Sequence, residues 1–200
     1  VMVHATGATG NRVQGNYIGT GASGLAPLAN TTDGVFMDNV PSNIIGGIKP
    51  GARNIISANQ SSGVRIAGVS NGTPQATFNV VQGNYIGTDL TGSVPLGNAR
   101  DGVFITDAPN NLIGGAEAGA RNIISGNRSS GVLIAGHDAT ENEVRGNFIG
   151  TDAAGRAKVG NALSGVFILD GASNIIGGVT QGDRNIISGN SASGIQIASE

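Results

Sequence analysis

The sequence predicts an all-β chain that coils into a right-handed parallel β-helix, a solenoid of about six turns with three short strands per turn. Three observations favour this fold. Nearly identical segments recur along the 200 residues, and the apolar residues come in bursts of three to five, too short for a helix. Gly, Asn, Asp and Ser separate these bursts. Short β-branched bursts between turn-forming residues are typical of short strands joined by tight corners.

The repeat has a long period that divides into two unequal turns. The segment RNIIS begins at Arg53, Arg121 and Arg184, which gives spacings of 68 and 63 residues. Within each period, the pattern G-[VI]-x-I recurs at intervals of 29, 39, 29, 34 and 29 residues. The sequence therefore predicts a single domain in which short turns of 29 residues alternate with long turns of 34–39 residues. The predicted turns cover residues 1–33, 34–62, 63–101, 102–130, 131–164 and 165–193, with a partial turn at 194–200.

Stacking of the turns is what should create the hydrophobic core. Alternation within a burst places Val132 and Ile134 on the inner side of a strand and Leu133 on the outer side. A turn with three small strands cannot bury its apolar side alone, but turns stacked at about 4.8 Å form a continuous interior. The general preference for right-handed crossovers between parallel strands predicts the hand of the coil.

Asparagine and glycine recur at the predicted corners. The segment GNYIGT at 15–20 returns unchanged at 83–88 and as GNFIGT at 146–151. The glycine suits a corner that has no room for a Cβ atom. The asparagine amide can bond the backbone at a corner, and copies on stacked turns can bond one another as a ladder. We expect structural ladders at Asn16, Asn84, Asn147, Asn54, Asn122, Asn185, Asn59, Asn127 and Asn190.

Composition excludes several functional classes. The net charge of −2 provides no basic field for phosphates, so we expect no nucleic-acid partner. No apolar run approaches the roughly 18 residues of a membrane span, so we expect no membrane insertion. Cysteine is absent, which rules out disulfides and thiolate metal sites in these 200 residues.

The full pattern of the repeat resembles a known group of proteins. It runs N-x-V-x-G-N-x-I-G-T-D, then G-V-x-I, N-x-I-G-G and R-N-I-I-S-G-N, and it covers essentially the whole chain. This pattern resembles bacterial right-handed parallel β-helix repeat proteins of the pectin-lyase-like superfamily. That superfamily includes polysaccharide lyases, glycoside hydrolases, epimerases, tailspikes, adhesins and surface proteins, so the resemblance implies the fold and does not select an activity. It implies an extracellular or cell-surface location in a bacterium.

A catalytic site would be a single constellation, placed where copies of the repeat differ. The aligned Asp107 and Asp170 lie two turns apart, roughly 10 Å, near the upper limit for an inverting pair of carboxylates. Asp89 and Asp152 are expected to be turn residues. The arginine of each RNIIS segment should bond loop carbonyls or a neighbouring carboxylate while its stem covers apolar surface. The sequence thus predicts no catalytic residue, no metal site and no cofactor.

The outward positions of the third strands carry aromatic residues on every second turn, at Tyr17, Tyr85 and Phe148. Two interpretations stay open. Either the loop of about 13 residues in each long turn covers these rings, or the rings are ligand-binding platforms on which an extended glycan stacks. The outward column of the first strands is also more apolar than a solvated face requires.

These observations favour a non-enzymatic structural or adhesin-like rod with weak carbohydrate contact, which forms a segment of a longer secreted or surface protein. The alternative is a polysaccharide lyase or glycoside hydrolase-like carbohydrate-active enzyme, or a fragment of one. The expected partners are a polysaccharide or another surface protein. Because a coil cut at a turn exposes strand edges, end-to-end self-association is also expected.

Overall fold

The computed structural model describes residues 1–5, 7–69 and 76–199. Within them the chain forms an all-β parallel solenoid of about six turns, built from three parallel sheets, which confirms the predicted fold class. Residues 70–75, in the third turn, lie outside the described residues. In the described part, no helix has the length and apolar character needed to cross a bilayer.

Within the described residues, nineteen short strands follow one another. They are β1 (Met2–His4), β2 (Arg12–Val13), β3 (Tyr17–Ile18), β4 (Val35–Asp38), β5 (Ile44–Gly46), β6 (Ile55–Ile56), β7 (Val64–Ala67), β8 (Val80–Gln82), β9 (Tyr85–Ile86), β10 (Val103–Thr106), β11 (Leu112–Gly114), β12 (Ile123–Ile124), β13 (Val132–Ala135), β14 (Glu143–Arg145), β15 (Phe148–Ile149), β16 (Val166–Leu169), β17 (Ile175–Ile176), β18 (Ile186–Ile187) and β19 (Ile195–Ala198).

Every third strand belongs to the same sheet, because each turn contributes one strand to each sheet. Sheet 1 has the order β1-β4-β7-β10-β13-β16-β19, sheet 2 runs from β2 to β17, and sheet 3 runs from β3 to β18. Equivalent residues pair in register, so that Phe104 lies beside Arg65 on one turn and Leu133 on the next. Residues that share a position in the repeat therefore form columns along the solenoid.

The inward columns form one hydrophobic core that runs through the stacked turns. Val103, Ile113 and Ile124, one from each sheet on the same turn, are completely buried. Fully burying such a side chain contributes about 1.5–3 kcal/mol relative to leaving it exposed. The interior of one turn is thus completed by the turns on either side.

Three continuous asparagine ladders line the corners of the solenoid. In each link, the side-chain oxygen of one asparagine accepts a hydrogen bond from the side-chain amide of the asparagine on the preceding turn. In all but one link, the same oxygen also accepts a hydrogen bond from the backbone N–H of that preceding asparagine. The ladders are Asn11, Asn43, Asn79, Asn111, Asn142 and Asn174; Asn16, Asn54, Asn84, Asn122, Asn147 and Asn185; and Asn30, Asn59, Asn98, Asn127, Asn161 and Asn190.

The asparagines named from the sequence belong to the second and third of these ladders. Six of them form the complete second ladder, and the other three alternate with Asn30, Asn98 and Asn161 in the third. The first ladder, which precedes the strands of sheet 2, was not predicted.

The glycine of each GNYIGT segment lies under the loops of the short turns. Gly83 has a φ of 73°, and a Cβ atom built on it would contact the carbonyl oxygen of Gly47 and lie 2.8 Å from that of Gly119. These two carbonyls belong to short-turn loops on either side of the long turn that carries Gly83. The two loops also approach one another directly, since a Cβ on Gly119 would contact the carbonyl of Ile48. Glycine is required here by both conformation and space.

The loops of the long turns form a second stack that covers sheet 3. Each loop leaves sheet 3 as a narrow antiparallel arch, closed by a bridge such as Thr88 with Pro95. Successive arches hydrogen-bond across two turns, from Leu90 N to Gly24 O at 3.0 Å and from Ala153 N to Gly92 O at 2.9 Å. The solenoid is therefore braced laterally by its loops as well as by its ladders.

Candidate functional site

The three aromatic residues predicted to stack a glycan differ in exposure along the solenoid. Tyr17 is 43% exposed, Tyr85 is partly buried and Phe148 is only 7% exposed. A Cβ on Gly155 of the long-turn arch would lie 2.9 Å from the Phe148 ring, so the arch contacts that ring directly. The loop therefore covers Phe148, which leaves no free face there for a sugar. Stacking on Tyr17 stays a prediction.

The arginines of the RNIIS segments cover the same column of rings. The guanidinium carbon of Arg53 lies 4.0 Å from the ring centroid of Tyr85, and that of Arg121 lies 4.0 Å from the centroid of Phe148. Arg121 Nε also donates a hydrogen bond of 3.1 Å to the carbonyl of Gly146. A cation over an aromatic face contributes about 0.5–1 kcal/mol at an exposed site. The two repeated motifs, RNIIS and GNYIGT, thus pack against each other on neighbouring turns.

The outward face of sheet 1 has the clearest character of a contact surface. Its outward column contains Phe36, Arg65, Phe104, Leu133 and Phe167, all of them partly exposed. The guanidinium carbon of Arg65 lies 5.0 Å from the ring centroid of Phe36 and 5.5 Å from that of Phe104. Its buried Nε has no hydrogen-bond partner in the described part of the chain. A single cation is therefore held between two aromatic rings on an apolar stripe.

A buried carboxylate lies at the edge of this face. Asp101 is 3% exposed, and its Oδ1 accepts hydrogen bonds from Ser129 Oγ at 2.6 Å and from the backbone N–H of Ser130 at 2.9 Å. Burial raises the pKa of Asp101 above its ordinary value of 3.8, although these hydrogen bonds and the nearby Arg100 oppose the shift.

Replacing Asp101 by Asn is expected to stabilise the protein at pH 7. Because the folded-state pKa is raised, this carboxyl stabilises the fold fully only below about pH 3.8, and that stability is lost as the pH rises through the folded-state pKa. Asn keeps an oxygen that can accept from Ser129 and Ser130. Each 1 kcal/mol gained should raise Tm by about 2–4 °C, measured by thermal unfolding from pH 3 to 8.

Asp152 provides the control with the opposite sign. Its Oδ1 accepts backbone hydrogen bonds from Arg156 at 2.7 Å and Ala157 at 3.1 Å, and these lower its pKa below the ordinary value. Asp152→Asn should therefore lower Tm at pH 7, with a difference that shrinks as the pH falls below 3.8. If Tm depends on pH in the same way in Asp101→Asn as in the wild type, the first expectation is contradicted. The prediction that Asp89 and Asp152 are turn residues is confirmed by these bonds and by those that Asp89 Oδ1 accepts from backbone N–H groups of its own turn.

The aligned aspartates of sheet 1 do not form a carboxylate pair across adjacent turns. Asp107 follows β10 at a φ of 46°, and its carboxylate packs against Gly136 on the next turn, where a Cβ would lie 2.7 Å from Asp107 Cγ. Asp170 occupies the same position two turns after Asp107, with Gly136 on the turn between them. Among the described residues, no three His, Cys, Asp or Glu side chains are grouped so that they could hold a metal ion.

Comparison with known proteins assigns the chain to no family. No family model matches the sequence, and no curated protein matches it. The chain is a parallel β-solenoid similar to the A-module of the mannuronan C-5 epimerase AlgE4 from Azotobacter vinelandii. The two share 15% sequence identity with a TM-score of 0.41, and the similarity covers 100% of this chain and 54% of that one. The chain thus spans about half the length of the epimerase module.

Proposed function

We propose that the chain is a rigid, non-enzymatic rod segment of a secreted or cell-surface protein, which contacts a polysaccharide weakly through the outward face of sheet 1. The observation that carries this proposal is the continuity of the three asparagine ladders, which link each turn to the next at three corners. Bending the solenoid would break buried hydrogen bonds at all three corners, and each buried group left unpaired costs about 1–3 kcal/mol.

The repeated polar residues support a mechanical role, because they make hydrogen bonds and ring contacts within the solenoid. Asp89 and Asp152 hold the tips of the long arches, while Arg53 and Arg121 cover the aromatic column. Six turns at strand spacing give a rod of roughly 29 Å. Each further pair of turns would extend such a rod by about 10 Å.

The contact surface of the rod is the stripe on sheet 1. Phe36 and Phe104 lie two turns apart, about 10 Å, with the Arg65 guanidinium between them. Flat aromatic and aliphatic side chains beside a hydrogen-bond donor suit the alternating apolar and polar surfaces of a sugar chain. The stripe extends along the outer face of a sheet, so we expect it to bury little of a ligand and to bind weakly.

Duplicating one complete long-period repeat tests the rod. Inserting a second copy of residues 102–164 after Ser164 preserves the alternation of short and long turns and both loop stacks. It should lengthen the particle by about 10 Å in small-angle X-ray scattering and should not lower Tm. Duplicating only the short turn 102–130 is the matched control. It places two short-turn loops on adjacent turns and should destabilise the fold.

Two outcomes would contradict the proposal. A full-period insertion that fails to lengthen the particle would show that the turns do not continue as a rod. If a polysaccharide incubated with the chain is shortened, or if the sugar composition of that polysaccharide changes, the chain is a carbohydrate-active enzyme and the proposal of a non-enzymatic rod is wrong. End-to-end association of copies stays a prediction, which light scattering over a range of concentrations would check.

A further inference from the structure

One outward column of sheet 2 changes in character along the solenoid. In the order of the turns, it contains Arg12, Ile44, Val80, Leu112, Glu143 and Ile175. Arg12, on the first turn, is exposed, and the three apolar side chains of turns two to four are partly exposed. Glu143, on the fifth turn, is also partly exposed. A cation and a carboxylate therefore lie two turns either side of Val80, with an apolar segment between them.

The loops that follow the strands of sheet 2 carry charges in the same order. Lys49 lies in the loop of the second turn, and Glu117 occupies the aligned position in the loop of the fourth turn. Both side chains are exposed. These loops thus place a cation one turn before Val80 and a carboxylate one turn after it.

Arg145 does not reverse this order of charges. Its guanidinium forms an ion pair with Glu143 and lies 3.5 Å from the carboxylate of Asp183. Glu141, which is exposed just before the same strand, adds a further carboxylate. Residues 141–145 therefore carry a net charge of −1, whereas the aligned residues 10–14 of the first turn carry +1.

An exposed aromatic residue in a strained conformation lies at the centre of this pattern. Phe78 precedes β8 on the third turn, and its side chain is 64% exposed. Its φ is 56°, a left-handed conformation in which a bulky residue is an outlier, and its backbone N–H donates to Asn110 O at 2.9 Å. The aligned residues of the other turns are Gly10, Ser42, Asn110, Glu141 and Ser173. A strained, solvent-facing phenylalanine at a position that is not aromatic on any other turn points to contact with another molecule.

The order of the charges fits a second copy of the same chain in the antiparallel orientation. A two-fold axis in the plane of the contact, parallel to the strands of sheet 2 and level with Val80, reverses the direction of the solenoid in the second copy. Arg12 of each copy then faces Glu143 of the other. The same axis brings Lys49 of each copy opposite Glu117 of the other. Four pairs of opposite charges thus flank the centre of the contact.

The same axis brings the apolar residues of the two copies together. Phe78 and Val80 each face their own counterpart, and Ile44 faces Leu112. A parallel pair of copies would instead oppose Arg12 to Arg12 and Glu143 to Glu143. Because opposed like charges weaken an interface, the charges select the antiparallel arrangement.

We propose that the chain forms an antiparallel two-fold homodimer through the outer face of sheet 2, centred on Phe78 and Val80. The proposal does not depend on carbohydrate contact, since the stripe of sheet 1 lies on a different sheet. Five turns and a strand of three residues give a face of roughly 19 Å by 10 Å. This face is smaller than the roughly 800 Å² per partner of a standard interface, so we expect a weak dimer with a Kd between about 10 μM and 1 mM.

Sedimentation velocity of the 200-residue chain, from about 5 μM to about 2 mM, tests the dimer. The mass should rise from that of a monomer to that of a dimer and then stop, because a two-fold contact is closed. A monomer at every concentration overturns the proposal. A mass that continues to rise beyond the dimer, and that the substitutions below do not change, shows end-to-end stacking and also overturns it.

Phe78→Asn tests the centre of the contact without harming the fold. Asparagine tolerates the left-handed conformation, and Asn110 already adopts it at the aligned position with a φ of 58°. The variant should keep or raise the Tm of the wild type and should weaken the dimer at least tenfold. Leu163→Asn is the matched control, since Leu163 is 50% exposed in a long-turn loop, and it should leave the Kd unchanged. Dimerisation that Phe78→Asn does not weaken overturns the proposal.

Exchanging charges tests the antiparallel arrangement. Arg12→Glu and Glu143→Arg should each weaken self-association about tenfold, because each opposes like charges at both ends of the dimer. An equimolar mixture of the two variants should associate about as tightly as the wild type, since every opposed pair then joins opposite charges. If the separate variants associate as tightly as the wild type, the antiparallel contact is wrong.

A second exchange leaves the ion pair of Arg145 intact. Lys49→Glu and Glu117→Lys change only exposed loop residues, and the Tm of each variant shows whether it is folded. Each variant alone should dimerise more weakly than the wild type, and the mixture should recover. The polysaccharide contact proposed for sheet 1 is measured separately, so a strict monomer that binds polysaccharide would remove only the dimer. A dimer that binds no polysaccharide would remove only the role of sheet 1.

Discussion

Asn122→Ala is expected to destabilise the solenoid by about 3 kcal/mol or more, because it removes a central link of the second ladder. The Oδ1 of Asn122 accepts from the backbone and side chain of Asn84 at 2.9 and 3.1 Å, and its Nδ2 donates to Val81 O at 2.8 Å. Ala would leave the Asn84 N–H buried without a partner, and it would remove the donor that bonds the Val81 carbonyl and Asn147 Oδ1. Each such group costs about 1–3 kcal/mol.

The ladder contains its own control at its first position. Asn16 is exposed. Its Nδ2 donates to Gln14 O and Asn54 Oδ1, its backbone N–H donates to Asn54 Oδ1, and its carbonyl accepts from the Ile55 N–H. Asn16→Ala should cost less than about 1 kcal/mol, because water can replace the lost partners. Urea unfolding of both variants measures the difference. If the two cost the same, the ladder does not stabilise the solenoid through its buried hydrogen bonds.

The fold could be predicted because its determinants are local and repeated. A burst such as GVFI signals a strand by itself, and the recurrence of the burst after 29 or 34–39 residues signals that the strands stack. The inward and outward positions follow from alternation, and Val103 and Ile105 are indeed completely buried while Phe104 is partly exposed. None of these steps requires knowledge of distant contacts other than the stacking itself.

The ladders were harder to predict because the number of residues between linked asparagines depends on loops of unequal length. Asn98 lies at the end of a long arch and Asn127 in a tight short turn, so their sequence contexts differ although their side chains are hydrogen-bonded at 2.9 Å. The first ladder carried a usable signal. An asparagine directly precedes the second burst in every turn, for example Asn79 before VVQ and Asn111 before LIG.

The side-chain contacts at the candidate sites depend on packing between turns, which the alignment of the repeat copies describes only in part. The stacking of Arg65 between two phenylalanines could be suspected from a lone cation in an apolar column, but its distances follow from the twist and register of sheet 1. The contact of Arg145 with Asp183 joins residues 38 positions apart through a corner loop. The detectable signal was Asp183, in a column that holds Ala52 and Ala120 in the other two copies.

Gly83→Ala should strongly destabilise the corner of the second GNYIGT segment, with an expected cost of about 3–5 kcal/mol, because two costs add. The first is conformational: Gly83 has a φ of 73°, and a residue with a Cβ in this region costs about 1–2 kcal/mol. The second is steric, since the new Cβ would contact the carbonyl of Gly47 and lie 2.8 Å from that of Gly119. Both contacts are with backbone atoms, so overpacking adds about 1–3 kcal/mol.

Gly51→Ala separates the two costs. Gly51 also has a positive φ, 84°, but a Cβ built on it meets nothing within 4 Å, so only the conformational cost of about 1–2 kcal/mol should remain. The difference between the two variants in urea unfolding therefore measures how tightly the short-turn loops close over the GNYIGT corner. Equal destabilisation would mean that the loops can move away from Gly83. The repetition of glycine at 15, 83 and 146 would then reflect backbone conformation alone, and the loops would not brace the rod.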